Sequence, residues 1–250
     1  PYAASLETLR NLGYQEMPKT GIHTVTIPGT LDGWCTLLDK YGTMSLAQVL
    51  APAIELAEHG FPVTKIIGHS WKMSSAKLQS NASAAHTYLM AGRAPEPGEV
   101  VVQPDLARTF KKIAEGGRDV FYKGEIAEAI VACSRENGGL ITIQDLSEHT
   151  STWVTPISTN YRGYDIYECP PNTQGLVVLL ALNILEGYAL QSLGHNSPGY
   201  LHLLIEAVKL AFADANRYVA DPDFVDIPLE SLLSKSYAER RRHLIDTNKA

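Results

Sequence analysis

Several stretches of this 250-residue chain hold side chains that could do chemistry. Ser74-Ser75-Ala76-Lys77 has the S-x-x-K spacing that sets a lysine amine one helical turn from a serine nucleophile. A pattern this short arises by chance, and no S-D-N accompanies it. Ser197, inside Gly194-His195-Asn196-Ser197-Pro198-Gly199, is not flanked as in a nucleophile elbow, since His195 stands where the first glycine belongs, and Pro198 marks a helix start, so Ser197 is expected to be an N-cap. Asn172-Thr173-Gln174-Gly175 lies between a strand end and a helix start, where loop amides can face a ligand. A structural turn capped by Asn172 or Thr173 is the favoured reading.

Metal and redox chemistry find less support. The eight histidines are scattered without H-E-x-x-H, and His195 and His202 are the only close pair. Asp221-Pro222-Asp223-Phe224-Val225-Asp226 gathers carboxylates but lacks the glycine and distal glutamate of a calcium loop, so a turn with Asp221 or Asp223 bonded to backbone amides is expected. Cys35, Cys133 and Cys169 are odd in number and widely spaced, which points to buried free thiols. Asn81-Ala82-Ser83 is a glycosylation sequon by pattern alone. No catalytic residue, substrate-binding residue or metal ligand can be assigned to any position, and no cofactor is expected.

The elements that would position these groups are mostly helices. Expected are a short helix over 5–11 with Leu6 and Leu9 or Arg10 inward, one from a Thr30 cap to Gly42, and one from a Ser45 cap to Gly60 with a kink or break near Pro52. Further helical patterns cover 64–78, a short stretch within 80–98, 105–115, and 125–137, the last two closed by glycine pairs. Thr142 with Asp145 resembles a capping box. Val25 and Ile27 alternate with Thr24 and Thr26 as a strand; 153–158 and 164–168 pair as strands around Asn160-Tyr161-Arg162-Gly163. Helices return at Gln174, Tyr200 and Ser236. The helix from Tyr200 is apolar almost all round and has to be covered on most sides.

With 45% hydrophobic and 19% charged residues the chain can bury a substantial core, as one large domain or part of one. No segment approaches the roughly 20 apolar residues of a membrane span, so the chain reads as soluble. A net charge of −6 removes the electrostatic drive toward nucleic acid, and Arg240, Arg241 and Arg242 are offset by Glu239 and Asp246. Two or three strands give little surface for so many apolar helices, so β-structure from another polypeptide is expected.

Tyr161-Arg162-Gly163-Tyr164, Pro170-Pro171, Leu182-Asn183-Ile184-Leu185-Glu186-Gly187, and Leu210 to Asp214 through Asp221 to Val225 resemble the γ-glutamyltranspeptidase and acylase family. So do Ile27-Pro28-Gly29-Thr30, Asp39-Lys40-Tyr41-Gly42, Gly60-Phe61-Pro62-Val63, Phe121-Tyr122-Lys123-Gly124 and Gly138 to Thr142, in family order along essentially all of the chain. The resemblance implies an α+β, helix-rich large-subunit portion of a four-layer αββα N-terminal nucleophile hydrolase sandwich. Residues 1–250 would form a single large-subunit segment, with Ile245 to Ala250 resembling the run upstream of the processing loop.

The resemblance further implies a small subunit from the same precursor, whose N-terminal threonine attacks a γ-glutamyl or other acyl amide and passes the acyl group to water or an amino acid. Pro1, Ala3 and Ala4 resemble the tail of the motif whose arginine grips the substrate α-carboxylate, so that arginine is expected before Pro1. Periplasmic or extracellular location is typical of the family, and a cytoplasmic one is compatible. Glutathione-type members carry Pro-Ser-Ser-Gly-Gly where this chain has Pro171-Asn172-Thr173-Gln174-Gly175, which keeps an acylase acting on cephalosporin or glutaryl amides as an alternative. A non-catalytic interaction module is the alternative of another class.

Overall fold

The computed structural model describes residues 1–247 and 249 and divides into two compact units, Pro1–Ser151 and Thr152–Ala250. Asn248 and Ala250, inside the stretch resembling the run before a processing loop, lie outside the described residues.

In the first unit the helices are α1 (Leu6–Asn11), α2 (Thr30–Tyr41), α3 (Leu46–His59), α4 (Lys65–Met73), α5 (Ser75–Gln79), α6 (Ala82–Tyr88), α7 (Pro104–Tyr122), α8 (Glu125–Glu136) and α9 (Ile143–Ser147). Strands β1 (Phe61–Pro62) and β2 (Val100–Val101) pair antiparallel. Helix α3 packs along α7, and Leu31, Leu50, Ile113, Tyr122, Ala127, Ile141 and Leu146 close the core. Capping residues set the boundaries: Ser45 and Gln48 form a capping box at α3, and Thr142 and Asp145 form another at α9. Gly117, at φ 66° and ψ −152°, breaks α7 before it resumes to Tyr122, a turn that a side chain would strain.

Several expectations fail here for physical reasons. Val25 and Ile27 form no strand: a 3-10 turn at Ile22–Thr24 runs into extended chain with no partner strand, and Val25 is exposed. The residue capping α2 is Gly29, with Thr30 already inside the helix. Helix α3 runs unbroken through Pro52, which is exposed. The expected 64–78 helix divides at Ser74, whose hydroxyl turns back to donate to the Ser70 carbonyl at 3.0 Å. Leu6 points outward. Cys133 and Cys169 are exposed and Cys35 is half-buried, so the thiols are free but not all buried.

The second unit begins with exposed Trp153 and Val154, so the first strand starts later than the sequence pattern suggests. Strands β3 (Ile157–Tyr161) and β4 (Tyr164–Glu168) pair antiparallel with Tyr161 opposite Tyr164. Arg162 (φ 52°) and Gly163 (φ 90°) make the two-residue turn, whose left-handed residues match strand twist. Helix α10 (Gly175–Leu185) is apolar on nearly every face and buried accordingly. Helix α11 (Pro198–Tyr218), capped by Ser197, packs on α10 through Leu203, Ala207, Ala211 and Ala215. Its opposite stripe of Leu201, Ile205, Val208 and Phe212 is 40–57% exposed. Helices α12 (Leu229–Leu233) and α13 (Lys235–Arg242) complete the unit. The described residues are thus helix-rich, with two two-stranded sheets.

Candidate functional site

The stretch from β4 into α10 brings polar loop groups to a helix start, as the sequence suggested. A Cβ added to Gly175 would sit 2.7 Å from Glu168 Cβ and 2.9 Å from the Cys169 carbonyl oxygen, so only glycine lets the helix begin this close to the strand end. The Thr173 hydroxyl donates to the carbonyls of Cys169 at 2.9 Å and Pro170 at 3.0 Å. It therefore stabilises the turn rather than capping α10, whose N-terminus receives no side-chain cap. Asn172 and Gln174 are exposed, and their amides have no partner among the described residues. The loop can offer hydrogen bonds to a carbonyl or carboxylate, and its one thiol, Cys169, is exposed and has no histidine or other base bonded to it among the described residues.

Behind it, one buried polar group organises the unit. Asn183 is fully buried in the apolar helix α10; its Oδ1 accepts from the Thr159 hydroxyl at 2.6 Å and from Lys235 Nζ at 2.6 Å. Its Nδ2 donates to the Leu233 carbonyl at 3.0 Å. Lys235 also donates to the Asn160 carbonyl and to Glu186 at 2.7 Å. The Arg162 amide and then Lys235 hold the Glu186 carboxyl below its ordinary range. Arg242 donates from Nε to the Ile184 carbonyl at 3.0 Å and from its terminal nitrogen to that of Asn183 at 3.3 Å. Arg241 Nε stands 3.0 Å from Asp214 Oδ2 without hydrogen-bond alignment, while Tyr237 donates to Asp214 Oδ1 at 2.9 Å. Arg241 and Arg242 thus make their contacts inside the unit.

The first unit has its own buried cluster. Asp32 accepts from Arg118 Nε and from the Ser151 amide. Arg118 also donates to the His149 carbonyl and lies 4.7 Å from the Tyr122 ring centre. Tyr122 donates to the Pro28 carbonyl at 2.7 Å and stacks on His149 at 5.4 Å. Burial raises the Asp32 carboxyl, but the bonds from Arg118 and Ser151 outweigh it and leave it lowered. The cluster was invisible in the sequence because its members are separated by long stretches and match no local pattern.

The remaining candidates resolve individually. Ser197 caps α11 by accepting from the Tyr200 amide at 3.2 Å, and Asn81 caps α6 by accepting from the Ala84 amide at 2.9 Å. Asp221 accepts from the Asp223 amide at 3.0 Å, as a turn residue should. His195 lies against the Tyr200 ring, whereas His202 Nε2 is 2.8 Å from the Asp246 carbonyl, so the two do not converge. No group of metal-ligating side chains forms among the described residues, and no helix there is long and apolar enough to cross a membrane. Ser74 and Lys77 share no hydrogen bond; Lys19-Thr20-Gly21 matches K-T-G, and its Thr20 and Gly21 line the same concavity as Ser74 and Lys77.

Comparison with known proteins shows which family shares this helix-rich chain. The family model described as gamma-glutamyltranspeptidase matches residues 1–250. The chain is 43% identical over 229 residues to the glutathione hydrolase-like YwrD proenzyme of Bacillus subtilis, covering 91% of this chain and 44% of that protein. It is 42% identical over 231 residues to the acylase ACY 1 proenzyme of a Pseudomonas species, covering 92% and 41%. The cephalosporin acylase structure from Bacillus halodurans superposes with a TM-score of 0.89 at 40% identity, covering 98% of this chain and 47% of that one. The γ-glutamyltranspeptidase structure from Helicobacter pylori gives 0.84 at 32% identity, covering 93% and 67%. The architecture is that of N-terminal nucleophile hydrolases. Within that class, this chain belongs to the γ-glutamyltranspeptidase family, and it spans less than half the length of the curated relatives named above.

Proposed function

We propose that residues 1–250 are the large-subunit part of a self-processing γ-glutamyltransferase or hydrolase, completed to a four-layer αββα sandwich by strands of a small subunit. The observation that carries this reading is the stripe of Leu201, Ile205, Val208 and Phe212 on α11, left open in a chain that spans under half of its relatives' length. Covering such a stripe is worth about 25 cal/mol per Å² of apolar area, a gain that favours a covered face over one left in water.

In this reading the small subunit contributes an N-terminal threonine. Its hydroxyl attacks the acyl carbonyl while its α-amino group takes the proton, the amine leaves with a proton, and water or an amino acid receives the acyl group. The β4–α10 loop forms one wall of the cleft. Its exposed Asn172 and Gln174 amides, bulkier than serine and glycine, favour as a second reading an acylase acting on a glutaryl or cephalosporin side-chain amide.

The test is expression of the whole precursor, with the N-terminal residue of any second polypeptide determined and γ-glutamyl and glutaryl anilides compared as substrates. A threonine-started partner and turnover of either substrate are expected. Preference for glutaryl amide selects the second reading. A protein that stays uncleaved and turns over neither would overturn both.

A further inference from the structure

A concavity of about 650 Å³ opens in the first unit between the 3-10 turn at Ile22–Thr24, helices α5 and α6, and the end of α8. Its chemistry is one-sided. No carboxylate lines it, although the chain carries 27 acidic against 21 basic residues. The Lys77 ammonium has no partner among the described residues. The Thr20 hydroxyl and Asn81 Nδ2 are likewise uncommitted, Asn81 using only its Oδ1 for the α6 cap. Two of the lining acceptors are occupied, the carbonyls of Lys77 and Cys133 taking bonds from Ser80 and Asn137. Ile22, Val25 and Leu78 supply an apolar wall beside these donors.

We propose that this concavity binds a small organic carboxylate with an apolar tail, the carboxylate on Lys77 and Asn81 and the tail against Ile22, Val25 and Leu78. A single cation without arginine suits a monoanion better than phosphate, and the apolar wall has no use for an inorganic ion. Ser74 is not a nucleophile here. Its proton goes to the Ser70 carbonyl, and it shares no hydrogen bond with Lys77. The site is independent of the function proposed above.

Cys133 lines the concavity and is exposed, which supplies a direct readout. In the full-length protein, hexanoate should slow alkylation of Cys133 saturably, with exposed Cys169 as the internal control, both followed by peptide mass spectrometry. Lys77→Gln, at an exposed position, should weaken that protection roughly tenfold, while Lys77→Arg retains most of it. Hexanol, which lacks the charge, should protect far less, and sulfate at matched ionic strength should not compete. Absence of protection, protection unchanged in Lys77→Gln, or equal protection by sulfate would each overturn the assignment.

Discussion

Arg118 and Asp32, 86 residues apart in sequence, form an ion pair in which the carboxylate side chain is 6% exposed and the guanidinium 26%. The pair joins the start of α2 to the short helical stretch after the Gly117 break and, through the Ser151 and His149 backbone, to the end of the first unit. Asp32→Ala leaves a cation with little water around it, and the expected cost is about 3–5 kcal/mol in urea unfolding of the first unit. Replacing both residues by apolar ones, Asp32→Leu with Arg118→Met, should cost less than Asp32→Ala alone.

The same carboxylate dictates an acid sensitivity. Burial raises Asp32 and Asp145, yet hydrogen bonds more than compensate: from Arg118 and Ser151 to Asp32, and from Thr142 and Tyr2 to Asp145. Both therefore titrate lower when folded than when unfolded. Their contribution is fully present above the unfolded carboxylate value near pH 4 and is lost as pH falls through the folded values. Thermal unfolding between pH 5 and pH 2 should show the midpoint dropping, with a shallower drop in Asp32→Asn.

Glu99 offers a contrast. Two bonds from Arg93, followed by one from the Glu96 amide, hold it down to about 2, but the pair is at the surface, with Arg93 53% exposed. Solvent screens such pairs, so Glu99→Gln should change stability little and less still in high salt.

Arg242 lies against Gly187, where an added Cβ would overlap its guanidinium. Gly187→Ala should displace the arginine from the Ile184 and Asn183 carbonyls and cost about 1–2 kcal/mol. Because the effect passes through Arg242, Gly187→Ala made on an Arg242→Met background should cost almost nothing more, which a double-mutant cycle measures.

At the β4–α10 loop, Gly175→Ala meets the Glu168 side chain and the Cys169 carbonyl oxygen and is expected to cost about 1–3 kcal/mol. Asn172→Ser with Gln174→Gly should instead leave stability nearly unchanged, since both side chains are exposed and have no partner among the described residues. If the loop is a cleft wall, this second variant shifts the ratio of γ-glutamyl to glutaryl turnover in the full enzyme; an unchanged ratio would remove the loop from specificity.

Much of the helical framework was legible because its boundary signals are local. Ser5, Ser45, Thr64, Thr142 and Ser197 each accept a backbone amide at the helix start they were expected to mark or adjoin. Gly117 and Gly138 take left-handed conformations where glycine pairs were expected to close helices. What failed needed non-local information. Alternation at Val25 and Ile27 is only half of a strand when nothing pairs with it, and Thr30 lost the cap to a glycine one residue earlier. The loop at Asn172 was legible as a turn but not in its bonding, because Thr173 chose carbonyls over the helix start. Asn183 stood out in the sequence only as part of a family-like stretch, not as a buried hub, because its partners Thr159 and Lys235 lie far along the chain; Asp32 and Arg118 gave no hint of each other.

The clamp on α10 has a temporal side. Lys235 and Arg242 hold Asn183, Glu186 and the last carbonyls of that helix from about 50 residues downstream. A nascent chain emerging from the ribosome must therefore carry its greasiest helix with its end untied until α13 has been translated. That interval is when a chaperone would have most to grasp.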